Sequence, residues 1–323
     1  MPNSTIHLGE AQHKLAVLSR RVAADGVVVL DLGHEDGAPL PEWQAGAHID
    51  LELANGLTRQ YSLCGVPGDR TRWTIGVLRE QQSRGGSTFV HDVLHPGVRV
   101  SVVGPRNHFA LQPSRNYVFI AGGIGITPIL PMIKAAQNAG ANWTLTYGGR
   151  TRSSMGFLND LAPYGTKVSL QAFDEVGHID LASLLDIPRP ETLVYACGPE
   201  PLLAAIEAKC AVWGHGVLHV ERFTAKPLDA PVCSGPFEIE CARDGRVLTV
   251  PPGRSIMEVL EMAGYQVLCS CREGVCGSCE TKLVSGLADH RDSVLSDDEK
   301  LRNDRMMVCV SRSRDGGRLV LDF

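Results

Sequence analysis

Near its C-terminal end the chain carries Cys271, Cys276 and Cys279, separated by four and two residues, and a further cysteine, Cys309, after 29 more. Few patterns constrain a fold as tightly, because four side chains at this spacing act together only if the chain turns sharply and brings the distant one back. The spacing is that of a plant-type 2Fe-2S centre. Thiolates are soft ligands suited to iron, and a loop bearing three of them wraps one side of a cluster while the fourth closes the other. Gly274 and Gly277 permit sharp turns, and the loop's N–H groups are then free to bond the sulfurs and help set the reduction potential. Zinc is the competing reading, but zinc knuckles pair two short Cys-x2-4-Cys elements, and no His stands at a finger-like position here. Cys269 lies two residues before the first candidate ligand and reads as a small core residue rather than a ligand. Cys64, Cys210, Cys233 and Cys241 read the same way.

The rest of the chain excludes several classes of protein. A length of 323 residues predicts two or three domains, and 44% hydrophobic with 21% charged residues is a globular composition. The longest apolar run, Val118 to Ile126, is broken by three glycines, so no membrane span is expected. The N-terminus lacks the basic start and apolar stretch of a secretory signal. Crowding of cysteines near one end suits metal chemistry in a reducing cytoplasm better than a disulfide framework. The net charge is -5 and the Lys and Arg residues are scattered, which argues against nucleic acid or anionic membrane as partners.

Hydrophobic periodicity divides the chain into three. Up to about Phe109 it alternates in short strands, Leu15 to Leu18, Val27 to Leu32, His48 to Leu53, Thr58 to Leu63, Arg72 to Leu78 and Val98 to Val103, as in a six-stranded antiparallel barrel. One helix interrupts them, with Ser87 expected to cap the run Thr88 to Leu94. From Tyr117 the period changes. An apolar strand, 117–121, leads into Gly122-Gly123-Ile124-Gly125-Ile126-Thr127-Pro128 and a helix for which Thr127 is the expected N-cap. Strands then alternate with helices to Phe223, which implies a mostly parallel sheet covered on both faces. After a Pro-rich linker, Thr224 to Pro236, a hairpin turns at Asp244-Gly245. The Ser255/Glu258 capping box and the cysteine loop follow, describing a small beta-grasp domain.

The glycine run differs from GxGxxG and is weak evidence alone, but its place between a parallel strand and a helix is where this architecture holds a pyrophosphate. Arg84-Gly85-Gly86-Ser87 is a second candidate phosphate anchor, with glycines for close approach and a charge beside a helix start; a plain glycine hairpin is its alternative. In Arg59-Gln60-Tyr61-Ser62-Leu63, alternation places Arg59 and Tyr61 on one side and Gln60 and Ser62 on the other. Arg150 and Arg152 follow one strand and suit either a bare ribose and diphosphate or a 2'-phosphate; Asp174, at the end of the next, would repel the latter.

Together, the stretch at Arg59, the run at Gly122, Cys197-Gly198-Pro199 and the cysteine loop resemble the phthalate dioxygenase reductase family, one-chain reductases serving Rieske-type oxygenases. The resemblance covers essentially the whole chain. It implies a six-stranded flavin-binding beta-barrel domain at residues 1–110, a ferredoxin-reductase-like α/β NAD-binding domain at 111–226, and a beta-grasp 2Fe-2S ferredoxin domain at 236–323. A ferredoxin domain placed last goes in that family with FMN rather than FAD. The family's roles fall on Arg59 and the loop Arg84 to Ser87 for the flavin phosphate. Tyr61 packs on the ring, with Ser62 near flavin N5. Gly76, Val77, Thr127 and Phe223 border the flavin. Gly122, Gly123 and Gly125, with Cys197, Gly198 and Pro199, take the nucleotide, whose donor is expected to be NADH. Gln60, Arg150 and Asp174 complete the binding set, and Ser62 and Cys197 are the residues expected nearest to hydride transfer. Plant-type clusters lie near roughly -400 mV and Rieske centres at roughly -150 mV or above, so such a reductase passes electrons downhill. A monomer serving a separate oxygenase is the implied partnership. A P450-type oxygenase, or an iron-sulfur carrier without its own NADH oxidation, are the alternatives.

Overall fold

The computed structural model describes residues 12–226 and 230–323, and separates into two compact units, one ending at Glu221 and the other spanning Arg222–Phe323. In the first unit, β1 (Gln12–Ala24), β2 (Val27–Gly33), β3 (His48–Glu52), β4 (Thr58–Ser62), β5 (Trp73–Leu78), α1 (Gly86–Val93) and β6 (Arg99–Arg106) come first. Their strands form one antiparallel sheet in the order β4-β3-β6-β1-β2-β5. Its two ends meet where Leu63, just past β4, bridges to Ile75 of β5, and the Cys64 N–H donates to the Thr74 carbonyl at 2.9 Å. Closure removes both sheet edges and encloses Leu15, Leu30, Ile49, Leu51, Trp73 and Val102.

The second half of this unit alternates strand and helix. It comprises β7 (Asn116–Gly122), α2 (Ile126–Asn138), β8 (Asn142–Gly149), α3 (Leu158–Leu161), β9 (Val168–Ala172), α4 (Phe173–Val176), α5 (Leu181–Leu185), β10 (Thr192–Cys197), α6 (Glu200–Cys210) and β11 (Leu218–Glu221). All pairings are parallel, in the order β11-β10-β7-β8-β9. Alternation explains the unbroken apolar run of β7: Tyr117, Phe119 and Ala121 pack on one face of the sheet, and Val118 and Ile120 on the other. The chain runs outward from β7 through β8 and β9, then returns to place β10 on the opposite side of β7. This reversal opens a crevice beyond the strand ends, between the turns after β7 and β10.

The second unit contains β12 (Phe237–Cys241), β13 (Val247–Val250), α7 (Ile256–Met262), β14 (Glu280–Ser285), β15 (Ala288–Asp289), α8 (Asp297–Arg302), β16 (Arg305–Met307), β17 (Arg312–Ser313) and β18 (Leu319–Leu321). A five-stranded sheet, β13-β12-β18-β14-β16, packs with α7 around Ile239, Val250, Ile256, Leu260, Met306 and Leu321. Ser255 and Glu258 form the expected capping box, and Ser296 with Glu299 forms a second at α8. Among the described residues, no helix is long and apolar enough to cross a membrane.

Two caps differ from expectation. Helix α1 begins at Gly86, with Gly85 in the left-handed conformation at its N-cap; Ser87 lies inside the first turn, its Oγ accepting from the Glu80 N–H and donating to Ser83 Oγ. Helix α2 begins at Ile126, preceded by a 3-10 turn over Gly123–Gly125, so Thr127 is already helical and its Oγ1 donates back to the Ile124 carbonyl at 3.0 Å. In both places glycines carry the chain into the helix by conformation, which leaves the hydroxyl for other contacts.

Candidate functional site

Strand β4 presents Arg59 beside the loop entering α1, joining two segments 25 residues apart. The Arg59 guanidinium donates to the Thr58 carbonyl at 2.8 Å and to the Arg84 carbonyl at 3.2 Å. A Cβ on Gly86 would lie 2.5 Å from Arg59 Nε, so only glycine lets the arginine lie along the loop. Ser83, which the sequence reading passed over, ties the loop together by accepting from the Gly85 N–H at 3.1 Å and from Ser87 Oγ at 3.0 Å. The result is a cationic corner with glycine backbone at the start of an eight-residue helix, which fits a flavin phosphate. Next along β4, Tyr61 packs against the barrel core, and burial pushes its phenol well above the ordinary tyrosine range. Gln60 stands opposite Asp50 across the strand pair, and Ser62 opposite His48.

Gly76 of β5 faces the other half of the unit. A Cβ there would come within 2.9 Å of both the Phe157 ring and Thr127 Cγ2, so its absence allows the barrel and the turn after β7 to meet. Val77 beside it is buried, and its carbonyl is held by His91 Nε2 at 3.0 Å. Phe157 adopts φ 64°, an uncommon conformation for an aromatic residue, and no sequence signal marked it.

The two turns at the crevice touch through glycine. A Cβ on Gly125 would lie 2.3 Å from the Cys197 carbonyl oxygen, one on Gly122 would lie 2.7 Å from Pro199 Cδ, and one on Gly198 would lie 3.0 Å from Gly122 Cα. Gly123, at φ 54°, meets nothing and turns the chain instead. The structure thus brings Gly122, Gly123, Gly125, Cys197, Gly198 and Pro199 into one backbone-lined cradle, the shape a pyrophosphate and flat ring require. Cys197 is fully buried and stands in register with Glu221 of β11.

Glu221 is the functional candidate that sequence reasoning missed. Its Oε2 accepts a hydrogen bond from Ser62 Oγ at 3.2 Å, which links the barrel strand to the nucleotide-side sheet. Although the residue keeps some solvent-facing surface, the protein packed about its carboxyl pushes the pKa up to about 8 through desolvation, with Ser62 pulling the other way. The available signal was an acid in an otherwise uncharged strand, one parallel neighbour from Cys197. Ser62, Cys197 and Glu221 therefore surround a position where a carboxyl can keep its proton at neutral pH.

At the outer end of the sheet the Asp174 N–H donates to the Arg150 carbonyl at 3.2 Å, bringing these two together. Asp174 sits in the short helix α4 rather than on a strand end. Its neighbour Glu175 forms a two-pronged pair with Arg152, at 3.0 and 2.8 Å. The Arg152 charge is therefore already matched by carboxylate. Phe223 belongs to the second unit and is 44% exposed.

In the second unit the pairing of β14 with β16 brings Cys309 back toward the loop that carries Cys271, Cys276 and Cys279: Glu280 stands opposite Met307, and the Val308 N–H donates to the Cys279 carbonyl at 3.4 Å. Gly274 and Gly277 adopt φ 71° and 76°, and the Glu273 and Val275 N–H groups donate to Cys271 Sγ at 3.3 and 3.5 Å. A distant cysteine returned to a turning loop whose backbone donors aim at sulfur fits a four-thiolate cluster. Cys269 is partly buried and packs against the core of the second unit, as expected of a core residue.

Comparison with known proteins agrees with this architecture. The family model for a 2Fe-2S iron-sulfur cluster binding domain matches residues 239–314. Phenoxybenzoate dioxygenase subunit beta of Ectopseudomonas oleovorans is 43% identical over 302 residues, covering 93% of this chain and 94% of that one. An intact type IV self-sufficient cytochrome P450 monooxygenase superposes with a TM-score of 0.92 at 39% identity; the match takes in 97% of this chain, which spans only 41% of that longer one. The crystal structure of phthalate dioxygenase reductase, described as modular for electron transfer from pyridine nucleotides to [2Fe-2S], is 36% identical with a TM-score of 0.70 over 98% of each chain. With a barrel, a doubly covered parallel sheet and a cysteine-bearing beta-grasp unit in the same order, this chain belongs to the phthalate dioxygenase reductase family, oxidoreductases that carry electrons through a flavin and a 2Fe-2S cluster.

Proposed function

We propose that this protein oxidises NADH and passes the electrons through FMN and a 2Fe-2S cluster to the Rieske-type component of a ring-hydroxylating dioxygenase or a related monooxygenase or demethylase. The observation that carries the reading is the meeting of the Arg59 corner, Ser62, the two glycine turns and Cys197 within one unit of a chain whose other unit returns Cys309 toward the loop of Cys271, Cys276 and Cys279. When bound, the flavin exchanges an electron pair with the nicotinamide and gives electrons up singly, and the cluster carries them one at a time.

The chain's own residues bind and orient. Arg59 and the loop Arg84 to Ser87 hold the flavin phosphate, Tyr61 supports the ring, and Gly76, Val77 and Thr127 border it. Gly122, Gly123, Gly125, Gly198 and Pro199 admit the nucleotide diphosphate and nicotinamide beside Cys197. Ser62 holds a hydrogen-bonded position next to the protonated Glu221 carboxyl. Cys271, Cys276, Cys279 and Cys309 hold the cluster. Preference for NADH is supported by Arg152, already matched by Glu175, and by the acidic Asp174 beside it, both of which disfavour a 2'-phosphate. The domain limits 1–110, 111–226 and 236–323 belong to the same reading, as do a monomeric reductase and a cytoplasmic location.

Anaerobic addition of NADH to the purified protein tests the reading, with bleaching of both flavin and cluster absorbance expected. Bleaching of neither overturns it. The resemblance to part of a self-sufficient cytochrome P450 monooxygenase supports a second reading, a P450-type acceptor. Turnover measured in parallel with a Rieske oxygenase and a P450 component separates the two.

A further inference from the structure

The segment between β8 and α3 joins two places that the proposed function uses. It leaves β8 at Arg150 and Arg152, on the expected adenosine side. A 3-10 turn, Arg152–Ser154, stiffens it, because Thr151 and Ser154 cap one another. The Ser154 N–H donates to Thr151 Oγ1 at 3.3 Å, and the Thr151 N–H donates to Ser154 Oγ at 3.1 Å. The chain then lies along the barrel. In the turn between β1 and β2 the Asp25 N–H donates to the Ser153 carbonyl at 2.9 Å, and a Cβ on Gly156 would lie 3.7 Å from Val27 and 3.8 Å from Ala23. The segment ends at Phe157, which is 4% exposed and holds the left-handed conformation, φ 64° and ψ 19°. That conformation is disfavoured for a residue with a Cβ and easy for glycine. Here it turns a large ring onto β5. The ring edge covers Gly76 jointly with a methyl group from the turn after β7: a Cβ on Gly76 would lie 2.9 Å from Phe157 Cζ and 2.9 Å from Thr127 Cγ2. The Arg21 guanidinium stands 5.6 Å from the ring centroid and reaches Asp160 of α3 at 4.0 Å, so the ring is held from the barrel as well as from its own helix.

We propose that Phe157 is a positioning residue for hydride transfer: its ring, meeting Gly76 and Thr127 together, fixes how closely the flavin side and the nucleotide side of the site approach one another. The inference rests on the reading of the first unit as the place where NADH reduces a flavin. That reaction moves one hydrogen with its electron pair from the nicotinamide ring to the flavin. It runs well only with the reacting atoms about 3–3.5 Å apart and aligned. Phe157 acts on that spacing through the backbone of Gly76 and the side chain of Thr127. A residue that merely filled the core would change stability and leave the alignment alone.

Leucine keeps apolar bulk near the backbone but lacks the ring atoms that meet Gly76. Full-length, FMN-loaded Phe157→Leu is compared with wild type by stopped-flow flavin reduction over a range of NADH concentrations and by thermal melting. A third measurement is the visible difference spectrum induced by a tetrahydro analogue of NADH that cannot give up a hydride. The limiting rate of flavin reduction is expected to fall roughly tenfold to a hundredfold, and the analogue's spectrum to lose about half its amplitude at saturation. Dissociation constants for NADH, analogue and FMN should stay within about threefold of wild type, since the binding groups are untouched. A lower melting temperature with limiting rate and spectrum unchanged makes Phe157 a core residue and overturns the proposal. Weakened binding with an unchanged limiting rate also overturns it. Gly76→Ala disturbs the same contact from the other side and decides the matter if Phe157→Leu does not fold. Its methyl group should reduce the analogue's spectrum in the same way, and a wild-type spectrum overturns the proposal. Failure of the underlying reading looks different, because NADH would then leave the wild-type flavin oxidised.

Discussion

Glu221 and Ser62 meet through a hydrogen bond across the two halves of the first unit, and burial of the Glu221 carboxyl puts a titrating group near neutral pH in register with Cys197. The folded protein holds this carboxyl's proton up to about pH 8, whereas an unfolded chain releases it near the ordinary value of 4.5. Native protein therefore binds more protons than unfolded protein between those limits, and Glu221's contribution to stability falls as pH rises through this window. Glu221→Gln removes the proton equilibrium while keeping the shape. The melting temperature gained by this variant over wild type is expected to grow from pH 5 to pH 8 and then level off. A gain independent of pH would show that the carboxyl is ionised throughout. At the phosphate corner, Arg59 lies against Gly86 and donates to the Arg84 carbonyl. Arg59→Ala removes a charge-assisted contact worth about 1.5–3 kcal/mol, so the dissociation constant for FMN should rise roughly tenfold to a hundredfold by fluorescence titration.

The turns after β7 and β10 act as a single element, because Gly125 and Cys197 approach more closely than any side chain allows. Gly125→Ala places a methyl group 2.3 Å from a carbonyl oxygen and must push the turns apart. An overpacking cost of about 1–3 kcal/mol in stability is expected, with a higher KM for NADH and little change in FMN content. The importance of these glycines was legible in the sequence, since a glycine-rich turn between a parallel strand and a helix has few other uses. Their partners were not, because the approach of β10 to β7 depends on strand order, which no local pattern records. The same limit hid Glu221 and Phe157, whose roles come from the barrel strands β4 and β5 lying against the α/β half. Local chemistry was read well where the chain answers to itself, as in the Ser255/Glu258 box and the hairpin at Asp244. It was misread at Ser87 and Thr127, where glycine conformation rather than a hydroxyl starts the helix.

Across the whole molecule, the two units divide the proposed work: pyridine nucleotide and flavin in the first, cluster in the second. Departure of electrons then depends on the second unit's surface. Residues 236–323 contain 12 Lys plus Arg against 15 Asp plus Glu, and a four-thiolate 2Fe-2S centre adds about two further negative charges. Helix α8 concentrates some of that charge, with Asp297, Asp298 and Glu299 in its first turn. An acidic surface of this kind suits a basic docking face on an oxygenase and an encounter steered by charge but brief, since one reductase must serve many turnovers. Screening at 0.5 M salt shortens the Debye length to well under the roughly 10 Å found at 0.1 M. Oxygenase turnover at limiting reductase should therefore fall severalfold between 0.05 and 0.5 M salt by an electrostatic rate effect, while flavin reduction by NADH within one chain changes less than twofold. Stopped-flow absorbance and coupled product formation measure the two steps separately. Equal suppression of both would place the salt-sensitive contact at the nucleotide site instead, and an unchanged turnover would mean that the partner docks through uncharged surface.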